Sequence, residues 1–342
     1  MFTPLIEKLQ QRHDLTTEEA AVAMEHIMDG RAQPAQIAGL LIALSMKGER
    51  PAEIVGFAQT MRSQAVPFDR GLEAVFDTCG TGGDRAGTFN ISTASAIVLA
   101  ASGVRVAKHG NRSVSSRCGS ADVFEALGVN ITATPEIVAR CLAVTNLAFL
   151  FAPTFHPSMR HAAPTRRELG LRTAFNLLGP LTNPAGPTRQ IVGVPRPELT
   201  ELMAKALALL GSEHAWVVHG ADGLDEVSLS GHTKVSECRA GAVRTFYVHP
   251  SEYGLRKTAV EEIAGGDAAA NAAILEAVLA GADGPRRDVV LLNAGAALFV
   301  SGAVDTVEAG IDRARSAIDD GRAAATLQRL VDTSRVVAEE PA

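Results

Sequence analysis

The chain has 342 residues, enough for about two domains, and 46% of them are hydrophobic, so it can bury a substantial core. Its net charge of -6 argues against a nucleic-acid-binding surface, although a local basic pocket for a polyanion remains compatible with it. No apolar stretch reaches the roughly 18 uncharged residues that a membrane span needs, and the N-terminus lacks the apolar segment of a signal peptide. We therefore expect a soluble, cytoplasmic protein that binds neither nucleic acid nor membranes.

The N-terminal region, about 65 residues long, carries the start and stop signals of consecutive helices. The sequence TTEE at residues 16–19 is a capping-box pattern. Pro34 and Pro51 stand where first helical turns would begin, and Gly30 and Gly48 stand where helices would end. These signals predict an all-helical N-terminal unit.

Residues 77–93 (DTCGTGGDRAGTFNIST) place a glycine-rich turn between an apolar strand and an apolar helix. Glycines leave backbone N–H groups uncovered, so the turn from Gly80 to Gly83 predicts a phosphate cradle. Ser92 and Thr93 are expected to cap the helix that follows. Glycines alone are equally compatible with a simple chain reversal. The pattern matches neither GxxxxGK(S/T) nor GxGxxG, which argues against a P-loop NTPase and a dinucleotide oxidoreductase.

A second donor-rich segment, KHGNRSVSSRCGSAD, follows the expected short strand at 104–107. Lys108 offers a point charge to phosphate oxygens, while the hydroxyl and N–H groups of Ser113, Ser115 and Ser116 offer short donors. A solvated polar turn is the alternative interpretation. The segment leads into an expected helix, which puts it on the same strand-to-helix side as the glycine turn, where open α/β sheets bind ligands. This position favours phosphate binding.

Beyond residue 75, short apolar segments alternate with helical patterns. Strands are expected at 104–107, 147–151, 190–194 and 215–219, and a helix at 197–210. Such alternation predicts βαβ units around a mostly parallel sheet. The Ala-rich segment at 267–332 is expected to be helical, and its NAGA run at 293–296 is interpreted as helix packing without a chemical role.

The four cysteines lack a CxxC spacing and a histidine partner pattern. Cys79, Cys118, Cys141 and Cys238 are therefore predicted to be reduced packing thiols, not zinc ligands or disulfide partners. Neither Cys79 nor Cys118 has an adjacent base that would make it a nucleophile.

The dipeptide Asp225-Glu226 follows the expected strand at 215–219 and sits beside Asp222 and Gly223. Acidic dipeptides are most often solvated turn residues. Here a loop at a strand end presents hard oxygen ligands, and Mg²⁺ prefers carboxylates together with diphosphate oxygens and retained waters. The pair is therefore a candidate Mg²⁺ site.

Together with FAPTFHPSMRHAAPTRRELG at 151–170, FNLLGPLTNPAG at 175–186 and DGLDE at 222–226, these loops resemble the anthranilate phosphoribosyltransferase family of tryptophan biosynthesis. The resemblance runs from about residue 5 to about residue 332. The family transfers a phosphoribosyl group from 5-phosphoribosyl 1-diphosphate to the amino group of anthranilate and releases diphosphate, the second step from chorismate to tryptophan. It is distantly related to the pyrimidine nucleoside phosphorylases.

The resemblance implies an α/β fold of two domains. A small all-helical N-terminal domain, residues 1–68, is completed by helices around 160–190. A larger α/β domain, residues 69–342, carries a mostly parallel central sheet and binds phosphoribosyl diphosphate. The two domains are expected to close over the substrates, and the helical domain is expected to form a homodimer.

The resemblance also implies catalytic and metal-binding residues. Lys108, Asp225 and Glu226 are expected to be catalytic. Ser92 and the acidic pair are expected to bind Mg²⁺, with two ions per subunit that bridge to diphosphate. The implied contacts of phosphoribosyl diphosphate are Gly80, Gly83, Asp84, Thr88, Asn90, Ile91, Ser92, Thr93, Lys108, His109, Gly110, Asn111, Arg112, Ser113, Ser115, Ser116 and Ser120.

Anthranilate is expected to contact Gly80, Asn111 and Arg166, since a guanidinium fork matches a carboxylate bidentately. His109 and His156 are candidates for the same cleft, with a local hydrogen bond as the alternative role. The neighbouring arginines are expected to be surface or ion-pair residues: Arg160, Arg167 and Arg172.

Two other functions fit parts of the sequence. A nucleoside phosphorylase would share the fold but should lack the KHGNRxxSS run and the carboxylate-binding arginine. A non-catalytic relative that binds nucleic acid should show basic patches and loss of the acidic pair. The net charge of -6 and the intact Asp225-Glu226 pair argue against the second function.

Overall fold

A computed structural model describes residues 1–113 and 117–336. Seven strands within these ranges form one sheet: β1 (Phe76–Asp77), β2 (Val106–Gly110), β3 (Leu147–Phe151), β4 (Arg189–Gly193), β5 (His214–Gly220), β6 (Thr233–Arg239) and β7 (Ala242–Val248). Their spatial order is β3-β2-β1-β4-β5-β6-β7. The first five pair in parallel, and β6 and β7 extend one edge in antiparallel pairing. The predicted mostly parallel α/β fold is thereby confirmed.

The helices of the described residues surround this sheet. The α-helices are α1 (Phe2–Gln10), α2 (Thr17–Met28), α3 (Pro34–Lys47), α4 (Pro51–Ser63), α5 (Ile91–Ala101), α6 (Ser120–Ala126), α7 (Pro135–Thr145), α8 (Ala152–Phe155), α9 (Ala163–Leu169), α10 (Phe175–Leu178), α11 (Leu199–Leu209), α12 (Ala268–Leu279), α13 (Pro285–Ser301), α14 (Val307–Asp319) and α15 (Arg322–Ser334). Short 3-10 helices span Pro157–His161, Gly179–Leu181, Pro250–Tyr253 and Val260–Ile263. Across the described ranges, no helix combines the length and the apolar character that crossing a membrane requires.

The N-terminal helices begin and end where the sequence predicts. Thr16 caps α2: its hydroxyl accepts from the Glu19 N–H at 3.2 Å, and the Glu19 carboxylate accepts from the Thr16 N–H at 2.8 Å. Proline is the first residue of both α3 and α4, and left-handed glycines follow α2 and α3. In this bundle α2 packs on α4 and α1 on α3, while α9 and α10 pack against α3 and α4.

Alternate residues of the central strands face two apolar cores. Ile191 and Trp216 point into the core beneath α5 and α12 to α15. Val192 and Val217 point to the opposite face, where they meet α11 and the N-terminal helices. Both faces of the parallel strands are therefore covered by helices, as such sheets require.

The boundaries around the two phosphate loops differ from the sequence prediction. β2 extends to Gly110, so Lys108 and His109 belong to a buried strand and not to a solvated loop. α5 begins at Ile91 with Asn90 as its N-cap, so the expected capping by Ser92 and Thr93 is wrong. Ile91 is buried, and its packing into the core is consistent with a helix start two or three residues before the one that capping by Ser92 or Thr93 would give.

A buried carboxylate holds the N-terminal helices together. Glu53 is fully buried and accepts hydrogen bonds from the N–H groups of Leu15 at 2.9 Å and Arg50 at 2.8 Å. The ammonium of Lys47, whose side chain is 3% exposed, lies 3.0 Å from Glu53 and 2.8 Å from Asp14. The charge of Glu53 is thus paired and its oxygens are hydrogen-bonded, which is the condition for burying a carboxylate.

We expect Glu53→Ala to lower the free energy of unfolding by about 3–5 kcal/mol, because it leaves a buried ammonium and two N–H groups without their partner. Urea unfolding followed by circular dichroism measures the effect. Glu276→Ala removes an exposed glutamate of α12 and is the matched control, with an expected change within about 0.5 kcal/mol. Equal stabilities of the two variants would contradict the structural role of Glu53.

Candidate active site

The carboxyl ends of four neighbouring strands meet at one edge of the sheet. β2, β1, β4 and β5 lie side by side in parallel, so the segments that follow them converge there. The turn after β1 is tied to the end of β4, because Thr81 donates its N–H to the Gly193 carbonyl oxygen at 2.9 Å. A cavity at this edge is lined by Thr78, Gly80, Ser92, Ser95, Ile191, Gly193, Asp225, Glu226, Asn293 and Ala297.

Two glycines allow main chains to approach the acidic loop closely. A Cβ atom on Gly193 would lie 1.6 Å from the carbonyl oxygen of Asp225. A Cβ atom on Gly80 would lie 3.2 Å from the Asp225 carboxylate. Any larger residue at Gly193 must therefore displace the backbone that carries the acidic pair.

The acidic pair forms one cluster with Asp84. Burial raises the pKa of Asp225, and the charge and hydrogen bond of Asp84 raise it further. Burial likewise raises the pKa of Glu226, with the Asp225 charge as the next cause, and the Glu226 carboxylate accepts from the Ser92 N–H at 3.1 Å. Three carboxylates that repel one another in a site with little water favour a bound cation.

The donor set fits a magnesium ion that is shared with a phosphate ligand. Among the described residues, no group of three or more histidine, cysteine or acidic side chains is placed to hold a metal ion by itself. Mg²⁺ is commonly bound by one or two carboxylates while substrate phosphates and waters supply its other ligands. The half-buried Asp225 and Glu226 can supply those carboxylates, with Asp84 next to them.

Arg172 is exposed, in agreement with the prediction of a surface or ion-pair residue, and its guanidinium also lies against the glycine turn. Its Nη1 donates to the Gly82 carbonyl oxygen at 2.8 Å, and the guanidinium occupies the space that a Cβ on Gly83 would need. Burial lowers the pKa of Arg172, and the carboxylates of Asp225 and Asp84 oppose that shift. Arg172 thus contributes positive charge beside the acidic cluster.

Lys108 is a buried cation beneath the cavity. Its ammonium donates to the Thr78 carbonyl oxygen at 2.7 Å, the Thr78 hydroxyl at 3.1 Å and the Ser92 hydroxyl at 3.2 Å, which uses all three protons. Nearby, Asp77 is fully buried and accepts from the His109 N–H at 3.2 Å and from Asn183 Nδ2 at 2.8 Å. Burial raises the pKa of Asp77 to about 6, and the Lys108 charge opposes this rise.

The Asp122 carboxylate stabilises the conformation of the loop after β2 through hydrogen bonds. Its carboxylate accepts from the N–H groups of Ser113 at 3.0 Å and Gly119 at 2.8 Å, and from Arg112 Nη1 at 2.9 Å. Arg112 also forms two hydrogen bonds with Glu125 at 2.8 and 2.9 Å. The Arg112 guanidinium is therefore paired within the protein, and its contact with a phosphate stays a prediction. Two predicted contacts lie outside the described residues: Ser115 and Ser116.

The other residues that are predicted to contact phosphoribosyl diphosphate lie around the starts of α5 and α6. Asn90 donates to the Cys118 carbonyl oxygen at 3.2 Å and links the N-terminus of α5 to the loop. Thr88 forms an isolated β-bridge, and the buried Thr93 hydroxyl has no hydrogen-bond partner in the described part of the chain. Ser120 opens α6 and donates to the carbonyl oxygen of Asn111 at 3.4 Å.

Arg166 presents a partly desolvated guanidinium on α9. Its Cζ lies 4.9 Å from the centre of the Phe175 ring. Burial lowers the pKa of Arg166, and no charged partner among the described residues opposes that shift. The neighbouring Arg167 is exposed. Arg166 is therefore the arginine of this helix that is prepared to bind an incoming carboxylate.

His109 and His156 form a buried pair with ring centres 5.2 Å apart. Burial lowers the pKa of His109 to about 3, with the neighbouring His156 as the next cause, and burial lowers the pKa of His156 to about 4. Both rings are therefore neutral near pH 7. Each bonds one nitrogen to a carbonyl, Gly179 at 3.0 Å and Thr182 at 2.9 Å. The other nitrogen of each ring has no partner in the described residues and remains a hydrogen-bond acceptor.

Several residues of this site escaped sequence reasoning: Asp77, Ser95, Asn183, Gly193 and Asn293. Asp77 and Asn183 lie inside motifs that were identified in the sequence. Nothing in their spacing indicates that their side chains form a hydrogen bond across 106 positions. Gly193 lies next to the end of the strand expected at 190–194 and is the last residue of β4, and a glycine near a strand end beside a ligand site is the one usable signal.

The chain matches two family profiles in succession. Residues 3–65 match the profile described as "Glycosyl transferase family, helical bundle domain", and residues 72–324 match "Glycosyl transferase family, a/b domain". An anthranilate phosphoribosyltransferase of Moorella thermoacetica is 54% identical over 97% of this chain and 98% of its own length. One from Herpetosiphon aurantiacus is 53% identical over 94% of this chain and 96% of its own length.

Solved structures of similar proteins share the whole fold. The crystal structure of anthranilate phosphoribosyltransferase from Thermus thermophilus has a TM-score of 0.91 at 44% identity and covers 97% of this chain and 99% of its own. The enzyme from Saccharomyces cerevisiae in complex with PRPP and Mg has a TM-score of 0.89 at 29% identity, and the coverage of both chains is 97%. The same yeast enzyme in complex with 4-fluoroanthranilate has a TM-score of 0.87 at 28% identity, again with 97% of both chains covered.

We expect Gly193→Ala to reduce anthranilate consumption by roughly 100-fold, because its Cβ displaces the backbone of Asp225 and a misplacement of about 1 Å can cost that much. Gly231→Ala is the matched control, since a Cβ there meets no atom within 4 Å. Steady-state fluorescence of anthranilate measures both variants, and thermal melting checks that both fold. Unimpaired turnover by Gly193→Ala would show that the acidic loop need not stay where the structure has it.

Proposed function

The chain belongs to the anthranilate phosphoribosyltransferase family of glycosyl transferases, and we propose that its donor, metal and acceptor sites are the groups gathered at this edge of the sheet. The family's enzymes transfer a phosphoribosyl group from 5-phosphoribosyl 1-diphosphate to the amino group of anthranilate. The observation that carries the assignment of the site is the acidic cluster of Asp84, Asp225 and Glu226 packed against the glycine turn.

Mg²⁺ is the proposed cofactor, and Asp225, Glu226 and Ser92 are its proposed contacts, with two ions per subunit. When bound, the metal neutralises the charge that develops on the departing diphosphate. Support comes from the mutual repulsion of the carboxylates and from the yeast relative, which is described in complex with PRPP and Mg. The Ser92 N–H and the Lys108 ammonium both restrain this corner of the site.

The proposed donor site combines main-chain N–H groups with one buried positive charge. The proposed phosphate donors of the turn are the N–H groups of Gly80 and Gly83. At the N-terminus of α5 the N–H groups are engaged within the protein, that of Ser92 with the Glu226 carboxylate and that of Thr93 with the Asn90 carbonyl oxygen. Lys108 lies beneath the cavity, where its ammonium donates to the Thr78 carbonyl oxygen and the Ser92 hydroxyl and orients both groups. Its positive charge favours an anion in the cavity. The contact of Lys108 with a phosphate oxygen requires that one of these internal bonds be exchanged.

The proposed acceptor site binds anthranilate through its carboxylate. Arg166 offers a guanidinium that has no charged partner among the described residues, and Asn111 and the Gly80 backbone complete the proposed contacts. The neutral rings of His109 and His156 each keep one buried nitrogen without a partner among the described residues, and these nitrogens are the proposed acceptors for the aromatic amine after a local movement exposes them. Such acceptors orient the amine without having to deprotonate it, since an aromatic amine is already neutral and nucleophilic near pH 7.

The reaction proposed for this site is a direct displacement at the anomeric carbon with inversion. Burial raises the pKa of the Cys79 thiol far above its ordinary value, so this cysteine is not an activated nucleophile. Positioning of the two substrates and neutralisation of diphosphate supply the acceleration.

The proposed organisation follows the sequence prediction. We assign residues 1–68 with the helices around 160–190 to the helical domain, and residues from 69 onward to the α/β domain. Packing of α9 and α10 on the N-terminal bundle supports this division. A homodimer through the helical domain is proposed as well, and the exposed Val22 and Met46 on its surface supply apolar area for it. The proposed location is the cytoplasm.

The double variant Asp225→Asn with Glu226→Gln should lose activity by at least about 1,000-fold while remaining folded, because it removes both metal-binding charges and keeps their volume. Chelation of Mg²⁺ should abolish turnover by the wild type. The exposed acidic dipeptide Glu261-Glu262 gives the control, and Glu261→Gln with Glu262→Gln should retain activity. Full activity of the Asp225 and Glu226 double variant in excess chelator would refute the metal assignment.

Arg166→Ala should raise the KM for anthranilate by about 10- to 150-fold, the loss of a charge-assisted contact of about 1.5–3 kcal/mol, with little change in the KM for the phosphoribosyl donor. Arg167→Ala, one residue along the same helix and exposed, should change neither constant. Initial rates with each substrate varied in turn separate the two effects. Equal increases in both constants for Arg166→Ala would mean that this arginine is structural.

A further inference from the structure

Asn293 is a buried amide in the middle of an apolar helix. It lies on α13 and is 4% exposed, between Leu292 and Ala294, which are fully buried. A primary amide in such surroundings is costly unless its donors and acceptor are all hydrogen-bonded. The sequence pattern predicts only helix packing for the run that begins at Asn293, so the role of the amide has to be inferred from its hydrogen-bond partners.

The Asn293 amide forms hydrogen bonds with the main chain of Val227, the residue that directly follows Glu226. Asn293 Oδ1 accepts from the Val227 N–H at 2.9 Å, and Asn293 Nδ2 donates to the Val227 carbonyl oxygen at 2.9 Å. The second Nδ2 proton goes to the Val289 carbonyl oxygen at 2.9 Å, one turn earlier in α13. Both main-chain groups of Val227 are thus bound by one side chain 66 positions away in the sequence.

Within the described residues, Asn293 makes the only hydrogen bonds to the Val227 main chain. Val227 is 1% exposed, and the described structure gives its N–H and carbonyl groups no other hydrogen-bond partner. Without Asn293 these groups would be buried and unpaired, so the loop would have to move to reach water. Any such movement carries Glu226 with it.

Close packing of α13 against α14 holds Asn293 in place. At its crossing with α14, a Cβ on Gly310 would lie 2.3 Å from the Gly295 carbonyl oxygen, and one on Gly295 would lie 2.5 Å from the Ile311 side chain. The two helices are therefore in main-chain contact two residues beyond Asn293, and α13 cannot slide without opening that contact. The same amide also lines the cavity that holds Asp225 and Glu226.

We propose that Asn293 is a positioning residue, which fixes the main chain after Glu226 so that the acidic pair presents its oxygens to Mg²⁺. The proposal rests on the proposed function of that pair. Ser92 holds the Glu226 carboxylate from α5 through its N–H at 3.1 Å, and Asn293 holds the backbone of the same loop from α13. The acidic loop is thus restrained by two helices at once.

The test compares Mg²⁺ binding by Asn293→Leu, Asn293→Asp and the wild type in the full chain. Asn293→Leu removes all three hydrogen bonds of the side chain while keeping a similar volume. Asn293→Asp keeps the acceptor for the Val227 N–H and turns an oxygen toward the Val227 carbonyl. Thr200→Val is the control, because Thr200 is equally buried and hydrogen-bonded but lies on α11, on the opposite face of the sheet.

Calorimetric titration of Mg²⁺ in the presence of inorganic diphosphate is the readout that needs no turnover. We expect the apparent Kd for Mg²⁺ to rise at least 10-fold in both Asn293 variants and less than 2-fold in Thr200→Val. The Mg²⁺ concentration for half-maximal anthranilate consumption should rise in parallel, while the KM for anthranilate changes less than 3-fold. If Asn293→Leu does not fold, Asn293→Asp gives the same comparison.

An unchanged Kd for Mg²⁺ in a folded Asn293 variant overturns the proposal, and so does an equal rise in Thr200→Val, since that would be a general effect of core destabilisation. A wild type that consumes anthranilate without needing Mg²⁺ overturns the proposed metal function and the inference with it. Wild-type turnover that depends on Mg²⁺, with Asn293 variants like the wild type, overturns the inference alone.

Discussion

The site depends on a close approach of main chains that only glycine permits. The end of β4 passes the acidic loop so tightly that a Cβ on Gly193 would lie 1.6 Å from the Asp225 carbonyl oxygen. The turn after β1 is tied to the same Gly193 through its carbonyl oxygen, which accepts from Thr81. Loops that follow three different strands are thereby locked into one small volume. The carboxylates, the glycine turn and the N-terminus of α5 are near one another because these contacts are made.

Bringing these groups together places negative charges close to one another, and the positive charges of the protein neutralise them only in part. Asp84, Asp225 and Glu226 repel one another where little water can screen them, and burial raises the pKa of both residues of the pair. Lys108 and Arg172 supply positive charge from below and from the side, but Lys108 is fully engaged with neutral oxygens. In the proposed function, a divalent cation supplies the charge that is still needed and a metal ion for the diphosphate to bind. Under this proposal, the mutual repulsion of the carboxylates without a cation is the origin of the affinity of the cluster for one.

Local signals in the sequence predict most of the fold and the chemical character of the site, but they do not predict its internal contacts. Proline, glycine and the capping box place α2, α3 and α4, because each signal acts within one turn of helix. The alternation of apolar segments predicts the parallel sheet, and the rule that strand ends converge predicts which loops meet. The start of α5 is set by the burial of Ile91, so reading Ser92 and Thr93 as caps fails. Asn293 shows the limit most clearly, since its role depends on a partner 66 positions away that no local pattern reveals.

The proposed donor and acceptor sites lie on different parts of the chain, and the contact between those parts couples them. The proposed donor-binding groups come from loops of the sheet, whereas Arg166 and His156, the proposed acceptor-binding residues, come from the helical segment that packs on the N-terminal bundle. Arg172 belongs to that helical segment, yet it donates to the Gly82 carbonyl oxygen in the donor turn. His109 belongs to β2, yet it bonds to the Gly179 carbonyl oxygen in the segment after α10. A shift of the helical segment relative to the sheet would strain both bonds together, so the acceptor side cannot move freely while the donor turn keeps its shape. Catalysis by positioning needs this kind of coupling, because the amine and the anomeric carbon must be held at reacting distance by groups that lie far apart in the sequence.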